Sequence, residues 1–209
     1  MAGPSNTDTL AGRVTGDGGR GVRIGFDRTS RAEPAGPPAG ARRFVFLFDQ
    51  ALEFHPESFP VCARRVAERD GPAACPEGSL IGRGTSHLYP QGTADVYAVN
   101  TRLAGGLRGA LVVIPANGTI LELTWEKVTR PYRDRGYRWA LDEILPPTAV
   151  PPERRVGTRR FELTWGATDG PRSFATVRGP EPEAFRLGLW SEFVTGQVAL
   201  PQTKAPWSP

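Results

Sequence analysis

"TILELTWEKV" (119–128) places Leu121, Leu123 and Trp125 on one face of an extended chain and Glu122, Thr124 and Glu126 on the other. Alternation of period two marks a strand with one face buried and one in water. "TRRFELTWGA" (158–167) repeats the pattern, with Phe161, Leu163 and Trp165 set against Glu162 and Thr164. Just before the first run, "PANGT" (115–119) holds Asn117-Gly118, the favoured pair of a type I′ hairpin turn. Residues 107–114 are therefore expected to pair with 119–127.

Working outward, similar short runs appear at "VRIGFDR" (22–28), "GTSHLYP" (84–90), "TADVYAVN" (93–100), "YRWALDEIL" (137–145), "RSFATVR" (172–178), "AFRLGLWSEF" (184–193) and "GQVALP" (196–201). The most apolar is "RRFVFLFDQALEF" (42–54), with Phe44, Phe46 and Phe48 pointing one way and Val45 and Leu47 the other. Apolar residues on both faces imply a strand covered on both sides, central in its sheet or at a crowded sandwich centre. Val61 to Arg69 reads as one or two helical turns, stopped by Asp70-Gly71-Pro72. "LPPTAVPPERR" (145–155) reads as a stiff, extended crossover. Residues 1–21, polar and Gly-rich, read as a flexible leader, 22–201 as a single domain, and 202–209 as an extended tail.

Composition agrees with a strand-and-turn protein. Gly 25 and Pro 21 together exceed a fifth of the 209 residues, which suits many short strands joined by turns. The fold class expected is all-β: an antiparallel β-sandwich of roughly ten short strands with one short, disulfide-tethered helix. The net charge is +4, and of 26 basic residues only Lys127 and Lys204 are lysines. The arginines are scattered and their doublets short, which reads as solvated surface and ordinary ion pairs, so no specific nucleic-acid binding is expected. No apolar run approaches the roughly 20 residues that span a bilayer as a helix, and the N-terminal stretch shows no apolar signal segment.

Cys62 and Cys75 are the only cysteines. Their spacing is too wide for a C-x-x-C redox or zinc knuckle, and no second pair completes four metal ligands. A disulfide is the better reading, with two buried free thiols as the alternative. Such a bond would stabilise by about 3 kcal/mol in the chain-entropy model and would tie down a helix too short to stand alone.

The segment "FPVCARRVAERDGPAACPEGSLIGRGTS" (59–86) resembles a motif of a family of uncharacterised, mostly secreted proteins of actinobacteria and their relatives. The matching residues are Phe59, Pro60, Cys62, Gly71, Pro72, Cys75, Pro76, Gly78, Ser79, Gly82, Gly84 and Thr85. "RGYRWALDEILPPTAVP" (135–151) and "FELTWGA" (161–167) resemble later parts of the same family, in the same order. The resemblance implies export and a β-rich fold, and no activity. Many such proteins carry a second cysteine pair near the C-terminus and begin with a signal peptide, and this chain departs from both. A secreted or cell-envelope location is expected on this ground, with the cytoplasm as the alternative.

Motifs that carry chemistry are few. Gly16-Asp17-Gly18-Gly19-Arg20-Gly21 matches G-x-G-x-x-G, but a strand pattern follows it where a dinucleotide site needs a helix. No cofactor and no metal is expected. Glu122 and Glu126 beside Trp125, with Asp142 and Glu143 after Trp139, could serve a glycosidase, although a solvated strand face with the tryptophans in the core explains the acids better. His87 beside Tyr89, and His55, receive no role. "TRPYRDRGYRW" (129–139) interleaves Arg130, Arg133, Arg135 and Arg138 with Tyr132, Tyr137 and Trp139, and is the candidate ligand-binding loop. The expected function is a non-catalytic structural or binding module of the cell envelope, its partner an envelope polymer, lipid or protein. The alternatives are a carrier of a lipid or other apolar ligand in a hollow interior, and a carbohydrate- or anionic-polymer-binding protein.

Overall fold

A computed structural model describes residues 3–144 and 157–209; the expected crossover at 145–155 lies outside them. The strands are β1 (Ser5–Gly16), β2 (Val22–Glu33), β3 (Ala41–Asp49), β4 (Leu52–Phe54), β5 (Leu80–Leu88), β6 (Thr93–Arg102), β7 (Arg108–Ile114) and β8 (Thr119–Lys127). They continue as β9 (Tyr137–Ile144), β10 (Thr158–Trp165), β11 (Thr168–Asp169), β12 (Arg172–Ser173), β13 (Ala175–Val177), β14 (Ala184–Phe193), β15 (Val198–Ala199) and β16 (Gln202–Ser208). One α-helix, α1 (Arg64–Arg69), ends where Gly71 adopts φ 82° ahead of Pro72.

Strands β5 to β9 form an antiparallel meander, and β9 then pairs with β3 through Phe46↔Leu141. From β3 the ladder runs to β14, β16, β1, β2 and β10, and β10 returns to β5 through Leu163↔Gly84. The result is one closed barrel of 11 strands, not the expected antiparallel β-sandwich. An alternating strand buries one face equally well against a second sheet or around a closed one. One pair in the ring is parallel, β1 with β16.

That pair also corrects both chain ends. Ser5–Gly16, expected within a flexible leader, pairs along its whole length with β2. The expected tail is β16, whose Ala205 is fully buried and whose Trp207 packs 5.8 Å from Phe185. The 107–114 and 119–127 hairpin forms as expected, from Ile114↔Thr119 onward. Its turn is not type I′, which needs positive φ at both central residues. Pro115–Asn117 makes a 3₁₀ turn and only Gly118 is left-handed, at φ 67°.

An eight-stranded barrel is just wide enough for its own side chains to fill; eleven strands leave room for more. Here the chain supplies the filling. The small β4–β13 sheet and the turn before α1 form a plug at one end, sending in Leu52, Phe54, Phe59, Phe174 and Val177. Aromatic rings knit plug to wall: Phe54 lies 4.7 Å from Phe48 and 4.4 Å from Trp125, and Phe59 lies 5.2 Å from Phe174. Asn100, fully buried on β6, anchors the plug by donating from Nδ2 to the carbonyls of Pro56, Phe59 and Pro60. Toward the opposite end the interior turns polar. Arg28, buried there, lies 3.6 Å from the buried Asp8 carboxylate and 5.2 Å over the Phe44 ring. Burial lowers the Arg28 pKa, and the Asp8 charge opposes that.

Outside, β2, β5 and β10 present Asp27, Arg83, Arg160 and Glu162 to solvent, with Arg160 clamped bidentately to Asp27. A largely apolar interior with a charged exterior is the reverse of a membrane-spanning barrel. No helix among the described residues is long and apolar enough to cross a membrane. Two apolar areas on the outer wall are covered by the chain itself. Cys62 and Cys75 are joined, and the α1 segment they tether lies over Val99, Leu111 and Val113. The other area is on β3, where Leu47 is buried under Tyr137.

Candidate functional site

The outward face of β3 explains why the β8–β9 connection folds as it does. Leu47 and Ala140 would lie bare on the barrel wall, so the chain doubles back after β8 and packs Val128, Tyr132 and Tyr137 over them. A 3₁₀ turn at Arg133–Arg135 ends on left-handed Gly136, φ 86°, which returns the chain into β9. The arginines of this turn face solvent because the aromatics face inward.

This arrangement divides the candidate loop into two roles. Tyr137 is core: its phenol reaches Gly188, where an added Cβ would stand 2.7 Å from the hydroxyl. Burial pushes that phenol above its ordinary pKa, against a hydrogen bond with Gln202 and the charges of Arg186 and Arg135. Trp139 packs edge-on to Phe54 and Trp125, and its Nε1 donates to Glu53 Oε1 at 3.1 Å. Arg130 pairs with Asp134 at 3.5 Å on the exposed tip. Tyr132, Arg133, Arg135 and Arg138 line hollows at the loop's flanks.

The central hollow, about 350 Å³, gathers Lys127, Arg133, Arg138 and Arg178 around Gln50 and Val128. Lys127 comes from the end of β8 and stands 5.4 Å over the Trp139 ring. Arg178 follows β13 of the plug, held there by its N–H donating to the Ala51 carbonyl at 2.7 Å. Arg138 is 3.2 Å from Glu53, and this is the one ion pair these four cations make among the described residues. Three unpaired cations at one barrel mouth make a positive site.

On one side lies a hollow of about 250 Å³ shaped by Tyr132, Trp190, Arg43, Asp142 and Glu126. Arg43 grips Asp142 through Nε (2.7 Å) and Nη2, and lies 5.9 Å from the Trp190 ring centre. The Asp142 hydrogen bond raises the Arg43 pKa further above its ordinary value. On the other side a hollow of about 480 Å³ is bordered by Arg135, Tyr137, Arg186 and Lys204.

Of the four carboxylates considered for hydrolysis only Glu126 and Asp142 border one hollow, while Glu122 and Glu143 are buried elsewhere rather than on the solvated face expected of them. Glu122 pairs with Arg64 of α1, while Glu126 accepts from the Thr124 hydroxyl at 2.7 Å. Asp142 is held by Arg43, and Glu143 accepts from the Phe44 backbone N–H at 3.0 Å. His87 Nε2 meets Glu162 at 3.0 Å, and His55 Nε2 meets the Thr176 hydroxyl at 3.0 Å. Among the described residues no group of three or more His, Cys, Asp or Glu could hold a metal ion.

The chain matches no family model, no curated protein and no solved structure. What the site can hold follows from its own side chains. Sequence reading singled out the loop but not Lys127, Arg178, Arg43, Trp190, Arg186 and Lys204, which arrive from elsewhere in the fold. One signal was available: the two lysines of the chain, Lys127 and Lys204, both line these hollows.

Proposed function

We propose that this protein is a non-catalytic binding module of the cell envelope that takes an anionic polymer at the mouth of its barrel. The observation that carries the reading is the central hollow, where Lys127, Arg133 and Arg178, which make no ion pair among the described residues, converge beside Arg138. Guanidinium groups give phosphate and carboxylate paired, planar hydrogen bonds as well as charge. The Cys62–Cys75 bond supports an oxidising compartment, as the envelope reading requires. Against an apolar-ligand carrier stands the plug: Phe54, Phe59 and Phe174 occupy the space where such a ligand would lie.

Binding of fluorescent inorganic polyphosphate and of a polygalacturonate octamer, titrated at several salt concentrations, tests this. Affinity should fall steeply with salt. The Arg133→Ala/Arg178→Ala double variant, both residues exposed, should weaken binding about tenfold or more, since each removes a charge-assisted contact. No binding of either polyanion at low salt, or binding indifferent to the double variant, rules the reading out.

A further inference from the structure

Two of the three hollows adjoin. The near and central hollows share Lys127 and Val128, whereas the central and far hollows have in common only the buried Tyr137. The near and central hollows therefore form a track along one flank of the β8–β9 loop. Their chemistry differs along the track. The central and far hollows are lined by cations with no carboxylate. The near hollow holds two carboxylates, Glu126 and Asp142, the second paired with Arg43, together with two half-buried aromatic rings, Tyr132 and Trp190, above Leu47 and Ala140.

While Asp142 is already neutralised by Arg43, a chain of phosphates alone would meet repulsion at Glu126. A neutral, hydroxyl-bearing ring would not. The face of a pyranose is a patch of C–H groups, weakly positive, and it suits the negative face of an aromatic ring. Its hydroxyls donate to carboxylates and accept from a guanidinium. Arg43 and Asp142 lock each other in place, so these polar groups are oriented before a ligand arrives. Resting on the anionic-polymer reading above, we infer that the track binds a linear anionic glycan. A sugar ring sits in the hollow of Tyr132 and Trp190, and the acidic groups lie along Lys127, Arg133 and Arg178.

The test compares three probes on the full chain: a polygalacturonate octamer, inorganic polyphosphate of similar charge, and oligo-uridylate. Trp190→Ala should weaken polygalacturonate about tenfold, the worth of one lost stacking contact, and leave polyphosphate unchanged. Glu126→Ala, at an exposed position, should weaken polygalacturonate and strengthen polyphosphate by removing a repelling charge. If polygalacturonate binds through Arg133 and Arg178 yet ignores both Trp190→Ala and Glu126→Ala, the glycan assignment falls and the anion site stands. If neither polygalacturonate nor polyphosphate binds, both readings fall. Oligo-uridylate binding more tightly than polygalacturonate, with the same dependence on Trp190, replaces the glycan by a single-stranded nucleic acid.

Discussion

Replacing Asn100 by leucine removes two N–H donors from the point where the plug meets the barrel wall. In the native fold Nδ2 lies 2.8 Å from the Pro56 carbonyl, 3.0 Å from that of Phe59 and 3.2 Å from that of Pro60. Two hydrogens serve three acceptors, so two good bonds are lost. Leucine has a similar volume, which keeps a cavity term out of the comparison. Each buried carbonyl left without a donor costs about 1–3 kcal/mol, for a total of about 4 kcal/mol. That is a large share of the roughly 5–15 kcal/mol by which domains are stable. Urea unfolding followed by tryptophan fluorescence should show the midpoint falling by about 1.5 M at an unchanged slope, given slopes of about 1–3 kcal/mol/M. Asn100→Asp sharpens the test, because a carboxylate keeps the shape but faces the carbonyls with no donor. Burial and those oxygens raise the folded carboxyl pKa above its unfolded value of about 4. The folded state then holds more protons, so the stability of this variant is greatest below pH 4 and is lost as pH rises through the folded pKa. A loss below about 1 kcal/mol for Asn100→Leu, or a pH-independent Asn100→Asp, would refute the anchoring role.

Three further outcomes follow from the fold. Arg28→Met leaves the Asp8 carboxylate buried without its cation and should cost about 3–5 kcal/mol, whereas Arg28→Met/Asp8→Leu should recover most of it; strictly additive costs in urea titrations would argue against coupling. Gly84 faces Leu163 across the β5–β10 ladder, and an added Cβ would overlap the Glu162 carbonyl. Gly84→Ala should therefore destabilise by about 3 kcal/mol or prevent closure, and a thermal midpoint equal to wild type would contradict the strand spacing. Protein from its native host, alkylated without reduction, should gain no adduct at Cys62 or Cys75. The Cys62→Ala/Cys75→Ala variant should lose about 3 kcal/mol, read by the same urea titration, and free thiols in the native protein would remove the support for an oxidising compartment.

Much of the local structure was legible from residue order. The β7–β8 hairpin, the register of Leu121, Leu123 and Trp125, the short helix stopped at Gly71 and the crowded strand at 42–49 all follow from periodicity and turn chemistry acting within a few residues. The same rules misjudged the chain ends. Ser5–Gly16 has few large apolar side chains, and it is a strand because β2 and β16 supply its hydrogen-bond partners. Of the candidate loop, sequence indicated the arginines, but not that Tyr137 and Trp139 would be spent on packing.

The sequence by itself determined that the chain is a set of alternating strands, because side-chain period and turn residues are local properties of the backbone. Only the tertiary structure decided that the strands close into one barrel. Alternation specifies a buried face but not what lies opposite it, and closure depends on pairs such as Val14↔Trp207 and Phe46↔Leu189, far apart in sequence. The site belongs to the same category. Lys127, Arg133 and Arg178 carry no shared motif, and they become one positive hollow because the plug and the β8–β9 loop meet at the same mouth.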